Sequence, residues 1–446
     1  MDESIKDSPM PPPKRPTVPT VSRIFDDGSI VELVYDPIKR ATAFAIWQDH
    51  TWSIAPGYVC STGERLIPFS SNNNLIKNEV VLFASRPEEY GSEHDLLADI
   101  QSFVHRYADL SASFEQVATY YVILTWLYNA FNELPYLRLR GDFGTGKTRT
   151  LLTIGSLCYK AFFASGASTV SPIFHILDAF GGTLVFDEAD FRFSDERSEI
   201  VKVLNNGNLR GIPVLRTMQN RQREYNPQAF HVFGPKIVAT RGTYDDKGLE
   251  SRFITEEMRA GGLRTDIPIN LPPSFNEEAR AIRNKLLLYR FRHYEHARID
   301  ESAANPELEP RLNQVLMPLL SVVQDPALRD ELRTVAKQAQ TTLVAERGNS
   351  IEAHVLEVLA ELSANHSVIP VHDVAAAVIE RFGREYSRPI TNRWIGSVLR
   401  VRLGLETYKS NGVYVVPLER NERFIGICRR CGIEVPDAGQ AVDVGT

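Results

Sequence analysis

Eight consecutive residues carry the clearest chemistry in the chain: Gly141-Asp142-Phe143-Gly144-Thr145-Gly146-Lys147-Thr148. A glycine, four residues and then Gly-Lys-Thr is the phosphate-binding loop pattern. In such a loop successive backbone N–H groups face inward and cradle a β-phosphate, so glycine is needed wherever a β-carbon would block approach. Lys147 would bridge the β- and γ-phosphates, and Thr148 would ligate Mg²⁺ through its hydroxyl. Asp187-Glu188 follows, forty residues after Lys147, closing the apolar run Thr183-Leu184-Val185-Phe186. Such a strand lies beside the loop, and its last carboxylate, Asp187, reaches the metal through water. Glu188 is then placed to polarise an attacking water, as a hydrolase needs and a mere binder does not.

The elements that must hold these residues read as α/β. Tyr136 to Leu139 is a short strand running into the loop, and a helix from about Arg149 to Lys160 turns its positive end to the anion. A second strand ends at Asp187, and a third, Lys236 to Ala239, ends at Thr240-Arg241. Buried strands alternating with helices imply a mostly parallel sheet with helices on both faces. Around this core, 111–265, the chain divides further. Residues 1–21, proline-rich, read as a disordered arm. Residues 22–110 form a β-rich domain with strands at Ile30–Tyr35, Thr42–Trp47 and Val80–Phe83. Helical patterns at Glu93–Tyr107 and Phe114–Phe131 lead into the core. Residues 266–349 are helical (Glu277–Arg298, Glu309–Val323, Pro326–Arg347), 350–420 form a last ordered domain, and 421–446 a cysteine-containing tail.

Composition narrows the classes. The 446 residues suggest about three domains. No apolar run approaches the ~18 residues of a membrane span, and the N-terminus lacks a secretory signal's charged opening and apolar core. Four cysteines do not make a disulfide framework in a chain of this length. A cytoplasmic protein with no membrane partner is expected. The net charge of −6 hides an asymmetry: Arg381 to Arg430 holds eleven Arg or Lys against four Glu. A basic segment on an acidic protein suggests a local polyanion contact.

The order and spacing of the loop, the Asp-Glu strand and the third strand resemble the AAA+ ATPases, including superfamily 3 and minichromosome-maintenance-type helicases. The resemblance spans about Phe114 to Arg347. It implies ATP as the nucleotide and makes the polar residue ending the third strand sensor 1, here Thr240 in preference to Arg241. Thr240 departs from the commoner Asn. Leu249-Glu250-Ser251-Arg252-Phe253 resembles the arginine-finger segment, in which Arg252 would reach a neighbouring subunit's site and stabilise γ-phosphate charge. Arg311 is the choice for the lid arginine, sensor 2. A finger implies a homo-oligomer, and the resemblance implies a hexameric ring.

Between the acidic and sensor strands lies an insertion longer than the minimal fold needs. Val214-Leu215-Arg216, Arg221-Gln222-Arg223 and Phe230 to Phe233 read as two short strands and an arginine-bearing turn. In the helicases of this group a hairpin here grips single-stranded DNA in the central channel, with Arg216, Arg221 and Arg223 as the contacts to phosphate. The last domain looks like a winged helix. Helices at Ser350–Leu362, Val371–Phe382 and Thr391–Leu403 precede a hairpin about Asn411-Gly412. Arg393 and Arg400 on the third helix and Lys409 on the wing would contact duplex DNA. Cys428 and Cys431 resemble one zinc knuckle, but no second pair follows, and free thiols fit better.

The expected fold is therefore α/β: an AAA+ P-loop core with helical lid, β-rich N-terminal domain and C-terminal winged-helix domain. The function that follows from the resemblance is an ATP- and Mg²⁺-dependent DNA helicase or translocase of the kind that initiates replication of mobile elements. Two alternatives stay open, an ATP-switched winged-helix DNA-binding regulator and a AAA+ protein-remodelling or defence ATPase.

Overall fold

The computed structural model describes residues 17–187, 195–219, 225–244, 246–258, 264–348, 351–383, 386, 389–418 and 421–435. The chain divides into two compact units, one ending at Ala336 and the other beginning at Lys337.

The first unit opens with seven short strands: β1 Thr17–Thr20, β2 Ser22–Ile24, β3 Ile30–Asp36, β4 Ala41–Gln48, β5 Thr51–Ala55, β6 Tyr58–Val59 and β7 Arg65–Pro68. β2 to β5 form an antiparallel sheet in chain order, and β1, β7 and β6 form a second sheet. The end of the proline-rich arm is thus a strand, because Pro19 sits on an edge where a missing N–H costs nothing. Val80–Phe83, expected as a strand, makes only a bridge from Val81 to Phe162. Helices α1 Asn74–Lys77, α2 Glu93–Tyr107 and α3 Ala112–Leu127 follow; Ser92 and Asp95 close a reciprocal capping box at the start of α2.

The central sheet has five parallel strands: β8 Tyr136–Arg140, β9 Phe162–Ser165, β10 Leu184–Asp187, β13 Lys236–Thr240 and β14 Phe253–Glu257, in the order β14-β8-β13-β10-β9. Helices α4 Lys147–Gly155, α5 Val170–Phe180, α6 Asp195–Asn206 and α7 Lys247–Glu250 connect them, and an antiparallel hairpin, β11 Val214–Gln219 with β12 Tyr225–Phe230, is inserted after α6. Alternation along the strands sends Leu137, Leu139, Val185, Ile237 and Ala239 into one core and Tyr136, Leu184, Phe186 and Val238 into another. Helices therefore cover both faces, as the apolar strands require. β10 does not adjoin β8, because β13 lies between them.

Residues 22–110 and 266–336 belong to the same compact unit as the central sheet. Ile30 and Val34 enter the first core while Val31, Leu33 and Tyr35 enter the second. Glu32 between them is buried and meets Lys160 at 3.1 Å and Arg290 of α8 (Phe275–His293) at 2.9 Å. The hydroxyl of Tyr159 adds bonds of 2.8 and 2.9 Å to the same carboxylate. Helices α9 Pro310–Val322 and α10 Pro326–Gly348 follow α8.

The second unit runs α11 Ile351–Ser363, β15 Val368–Pro370, α12 Val371–Phe382, α13 Asn392–Ser397, β16 Tyr408–Ser410, β17 Val413–Pro417 and α14 Glu422–Arg430. β15 joins the hairpin as a third strand, order β15-β17-β16. Three residues including a proline leave too little pattern for that strand to be legible. Asn411 (φ 48°) and Gly412 (φ 87°) make the hairpin turn with positive φ at both central positions. The expected helix Thr391–Leu403 is α-helical only to Ser397; Val398–Arg402 widens to a π turn, with the Leu403 N–H bonded to the Val398 carbonyl.

Candidate nucleotide-binding site

All five central strands point their carboxyl ends to one edge, where ligands bind in open α/β sheets. β8 delivers Gly141 to Thr148 there. The first loop N–H, from Gly141, is held by the carbonyl of Thr240 at 3.1 Å. A β-carbon on Gly141 would lie 2.5 Å from the Met258 carbonyl, so only glycine fits. Gly144 and Gly146 take φ of 73° and 83°, the left-handed region that turns consecutive N–H groups to one side. Gly146 caps α4, whose positive end faces the loop. The Lys147 ammonium lies inside, donating to the carbonyls of Gly141 (2.5 Å) and Asp142 (2.6 Å).

The Thr148 hydroxyl donates to Asp187 Oδ2 at 2.6 Å. Residues 39 apart in sequence thus put two hard oxygens together at the loop, the donor chemistry Mg²⁺ prefers. Between them and the loop strand, β13 presents Thr240, 1% exposed, with Oγ1 buried and without a hydrogen bond among the described residues. An unsatisfied buried hydroxyl beside a phosphate loop is a group waiting for a polar partner. Arg241 lies 3.5 Å over the ring of Phe143, itself 74% exposed. Glu188 lies outside the described residues.

Arg252 is at the opposite, amino edge, about five strand residues or roughly 16 Å from the loop of its own chain. Its Nη1 donates to the carbonyls of Leu204 (3.1 Å) and Asn205 (2.8 Å) and to Asn205 Oδ1 (2.7 Å), and burial lowers its pKa. Arg311, the lid-arginine choice, is also at the amino edge: α9 packs on α3 and seats the Arg311 guanidinium 3.6 Å from where a Gly248 β-carbon would stand. Arg311 and Arg252 act there on Glu133, whose carboxyl burial pushes above its ordinary value.

β11 and β12 pair in register from Val214–Phe230 to Gln219–Tyr225, so the insertion is a hairpin. Its turn, with Arg221 and Arg223, lies outside the described residues. Arg216 is turned inward: it pairs with Glu199 and its guanidinium sits 4.0 Å over Phe174. In the second unit Arg393 and Lys409 are exposed. The π turn brings Arg400 to the hairpin, 3.1 Å from Thr407 Oγ1 and over Tyr414. None of the four cysteines is in a disulfide, and burial pushes Cys158 and Cys428 to about 12.

Sequence reasoning missed four residues. Arg138 of β8 clamps Glu250 through two bonds (2.6 and 2.8 Å), bolting the Arg252 segment to the loop strand. Arg149 holds the Pro268 and Ile269 carbonyls against the start of α4. Tyr225 exposes an aromatic face at the first position of β12. Lys236, fully buried, starts β13. A charge inside an apolar strand is the one available signal for Arg138 and Lys236.

No family model and no curated protein matches the chain. Solved structures similar to it include the C-terminal region of NrS-1 (14% identity, 87% of this chain and 96% of that one, TM-score 0.35). Another is a helicase, the SCCmec type IV Cch (10%, 93% and 95%, 0.37). A third is a minichromosome-maintenance homologue from Methanopyrus kandleri (10%, 67% and 68%, 0.34).

Proposed function

We propose that the chain is an ATP-driven DNA helicase or translocase that works as an oligomeric ring. The observation that carries the reading is the meeting of Thr148 and Asp187 at 2.6 Å under a glycine-walled phosphate loop, with the Thr240 hydroxyl buried beside them. Lys147 and the loop N–H groups bind and orient the triphosphate, and Glu188 draws a proton from the attacking water. Mg²⁺, held by Thr148 and Asp187, supplies charge neutralisation on the phosphates. Thr240 donates its hydroxyl where phosphate charge changes on hydrolysis. Arg252 and Arg311 stand at the edge remote from their own loop, which supports their action on a neighbouring subunit's nucleotide and hence a ring. DNA is the partner that the exposed Arg393 and Lys409, the Arg400–Tyr414 pair and the Arg221/Arg223 hairpin suit. The helix, strand, helix, helix, hairpin order of the second unit supports a winged helix.

The test is steady-state ATP hydrolysis with and without single-stranded DNA, with Lys147→Ala as blank. Several-fold stimulation, lost in the Arg221→Ala/Arg223→Ala chain, is the expected result. Hydrolysis indifferent to DNA overturns the translocase reading in favour of a protein remodeller.

A further inference from the structure

At the amino edge of the sheet, the last carbonyls of α6 and those flanking the hairpin converge on side chains that begin three strands. The Tyr136 hydroxyl, at the head of β8, donates to the Leu204 carbonyl at 2.9 Å. Arg252, just ahead of β14, takes Leu204 and Asn205 as described. Lys236, the first residue of β13, donates to the carbonyls of Gly207 (3.2 Å), Val232 (2.9 Å) and Gly234 (2.9 Å). The negative end of a helix dipole favours cations, which accounts for two of them meeting at the end of α6.

Lys236 differs from its neighbours in what it ties together. Gly207 precedes the hairpin, whereas Val232 and Gly234 follow it, so a single ammonium fastens both legs of β11–β12. The Gly234 N–H closes the same base on the Gly207 carbonyl at 3.0 Å. A β-carbon on Gly207 would come within 2.2 Å of Nζ, so the backbone is drawn in as closely as glycine permits. The lysine backbone is pinned too, its N–H and carbonyl both bonded to the Tyr121 hydroxyl at 3.1 and 3.0 Å. β13 is five residues long and hydrogen-bonded in the middle of the sheet between β8 and β10, and its other end is Thr240.

We propose that Lys236 is the positioning residue that couples nucleotide turnover to the hairpin, by fastening both hairpin legs to the strand whose far end senses phosphate. The inference rests on the translocase reading. A short strand bonded on both sides moves as a rigid body, and packed cores pass on such shifts rather than absorb them. A displacement at Thr240 therefore reaches the hairpin base through Lys236. Arg252 sharpens the device. Its Nε is buried without a hydrogen bond among the described residues, so its hold on α6 is incomplete. When Arg252 leaves for a neighbour's γ-phosphate, α6 gives up three bonds, and Lys236 remains the side chain that ties both hairpin legs to β13.

The experiment uses the full chain with Lys236→Met, which keeps an unbranched side chain as far as Cε and removes the ammonium. Basal hydrolysis, ATP KM, stimulation by a single-stranded oligonucleotide and thermal unfolding are measured together. The expected result is basal kcat and KM within about two-fold of wild type and stimulation cut at least about five-fold. Added to Arg221→Ala/Arg223→Ala, the substitution changes stimulation no further, since it acts through that hairpin. Basal and stimulated rates falling in step overturn the proposal in favour of a purely structural lysine, as does undiminished stimulation. If Lys236→Met does not fold, Lys236→Gln, one atom shorter and with two N–H donors against three carbonyls, leaves the hairpin base incompletely fastened and should cut stimulation in the same sense, by a smaller factor. A wild-type chain that DNA does not stimulate defeats the translocase reading itself; a stimulated wild type with an equally stimulated variant defeats this inference alone.

Discussion

At the carboxyl edge of the central sheet, Thr148 is exposed, Lys147 and Asp187 are half-buried, and they spend their hydrogen bonds on the loop and on one another. At the amino edge, Lys236, Lys160 and Arg290 are buried, and Arg252 is half-buried on carbonyls of α6. Both edges are rich in cations, yet only one is open to a ligand. The difference follows from desolvation. A group that must meet phosphate and release it keeps access to water, whereas an enclosed cation persists only where fixed carbonyls or a carboxylate satisfy it. Lys236 has carbonyls and no carboxylate, and burial together with Arg252 pushes it down to about 7. Substitutions at the first edge should therefore change turnover without touching stability, and substitutions at the second should change stability or coupling.

The largest effect expected is at the carboxyl edge. Lys147→Ala should abolish nucleotide binding, and Glu188→Gln should bind ATP but not turn it over, both with unchanged melting temperature. Isothermal titration with ATP and calorimetric unfolding check the pair. Loss of several degrees in melting temperature with either substitution would break the contrast between the edges.

Arg252 belongs to both sides of the comparison, as it lies at the amino edge and is proposed to act on a neighbour's carboxyl edge. Arg252→Ala should lower kcat of the assembled protein by about 10³-fold or more, the scale of an arginine supplied in trans. A merely structural arginine would not be complemented. Mixing inactive Arg252→Ala chains with inactive Lys147→Ala chains should recover part of the hydrolysis, because some interfaces then pair an intact loop with an intact arginine. A mixture with no activity would sink the trans reading.

The two edges also differ in how far the sequence discloses them. The phosphate loop is eight contiguous residues whose spacing is the geometry, so its glycines, Lys147 and Thr148 are readable at once. Asp187 is readable because an apolar run ends on it. The amino edge is assembled from positions far apart: Arg138 meets Glu250 across 112 residues and Arg290 meets Glu32 across 258. No local pattern encodes such pairs, and none shows that residues 22–110 pack into the same cores as the central strands. Nor does local pattern show which edge Arg311 reaches, since the packing of α9 decides it. Arg216 has hairpin spacing, but Glu199 and Phe174 draw it inward.

Glu32 tests the amino edge by itself. Burial raises its pKa, but Lys160 and Arg290 outweigh burial and leave the carboxyl below its ordinary value. Glu32→Gln leaves two buried cations without their anion and should cost about 3–5 kcal/mol in chemical denaturation. Because the folded-state pKa is depressed, this stabilisation is fully present above the ordinary value of 4.5 and is lost as pH falls through the folded-state value. The wild-type and Glu32→Gln stability curves should accordingly converge in acid. Parallel curves down to the acid transition would mean that the ion triad does not hold the N-terminal strands to the sheet.

The smallest expected effect lies back at the loop. Phe143 is 74% exposed and carries the Arg241 guanidinium on its ring. An exposed cation–π contact is worth about 0.5–1 kcal/mol. Phe143→Ala should thus raise KM for ATP by about two- to five-fold through a less well placed Arg241. Its melting temperature should stay that of the wild type, since no core surface is lost. Combining it with Arg241→Ala should add nothing to the KM change, as each removes the same contact. A melting temperature that falls while KM holds would give the loop the character of the opposite edge, and the distinction between an open edge that handles phosphate and a closed edge that holds the scaffold would fail at its weakest residue.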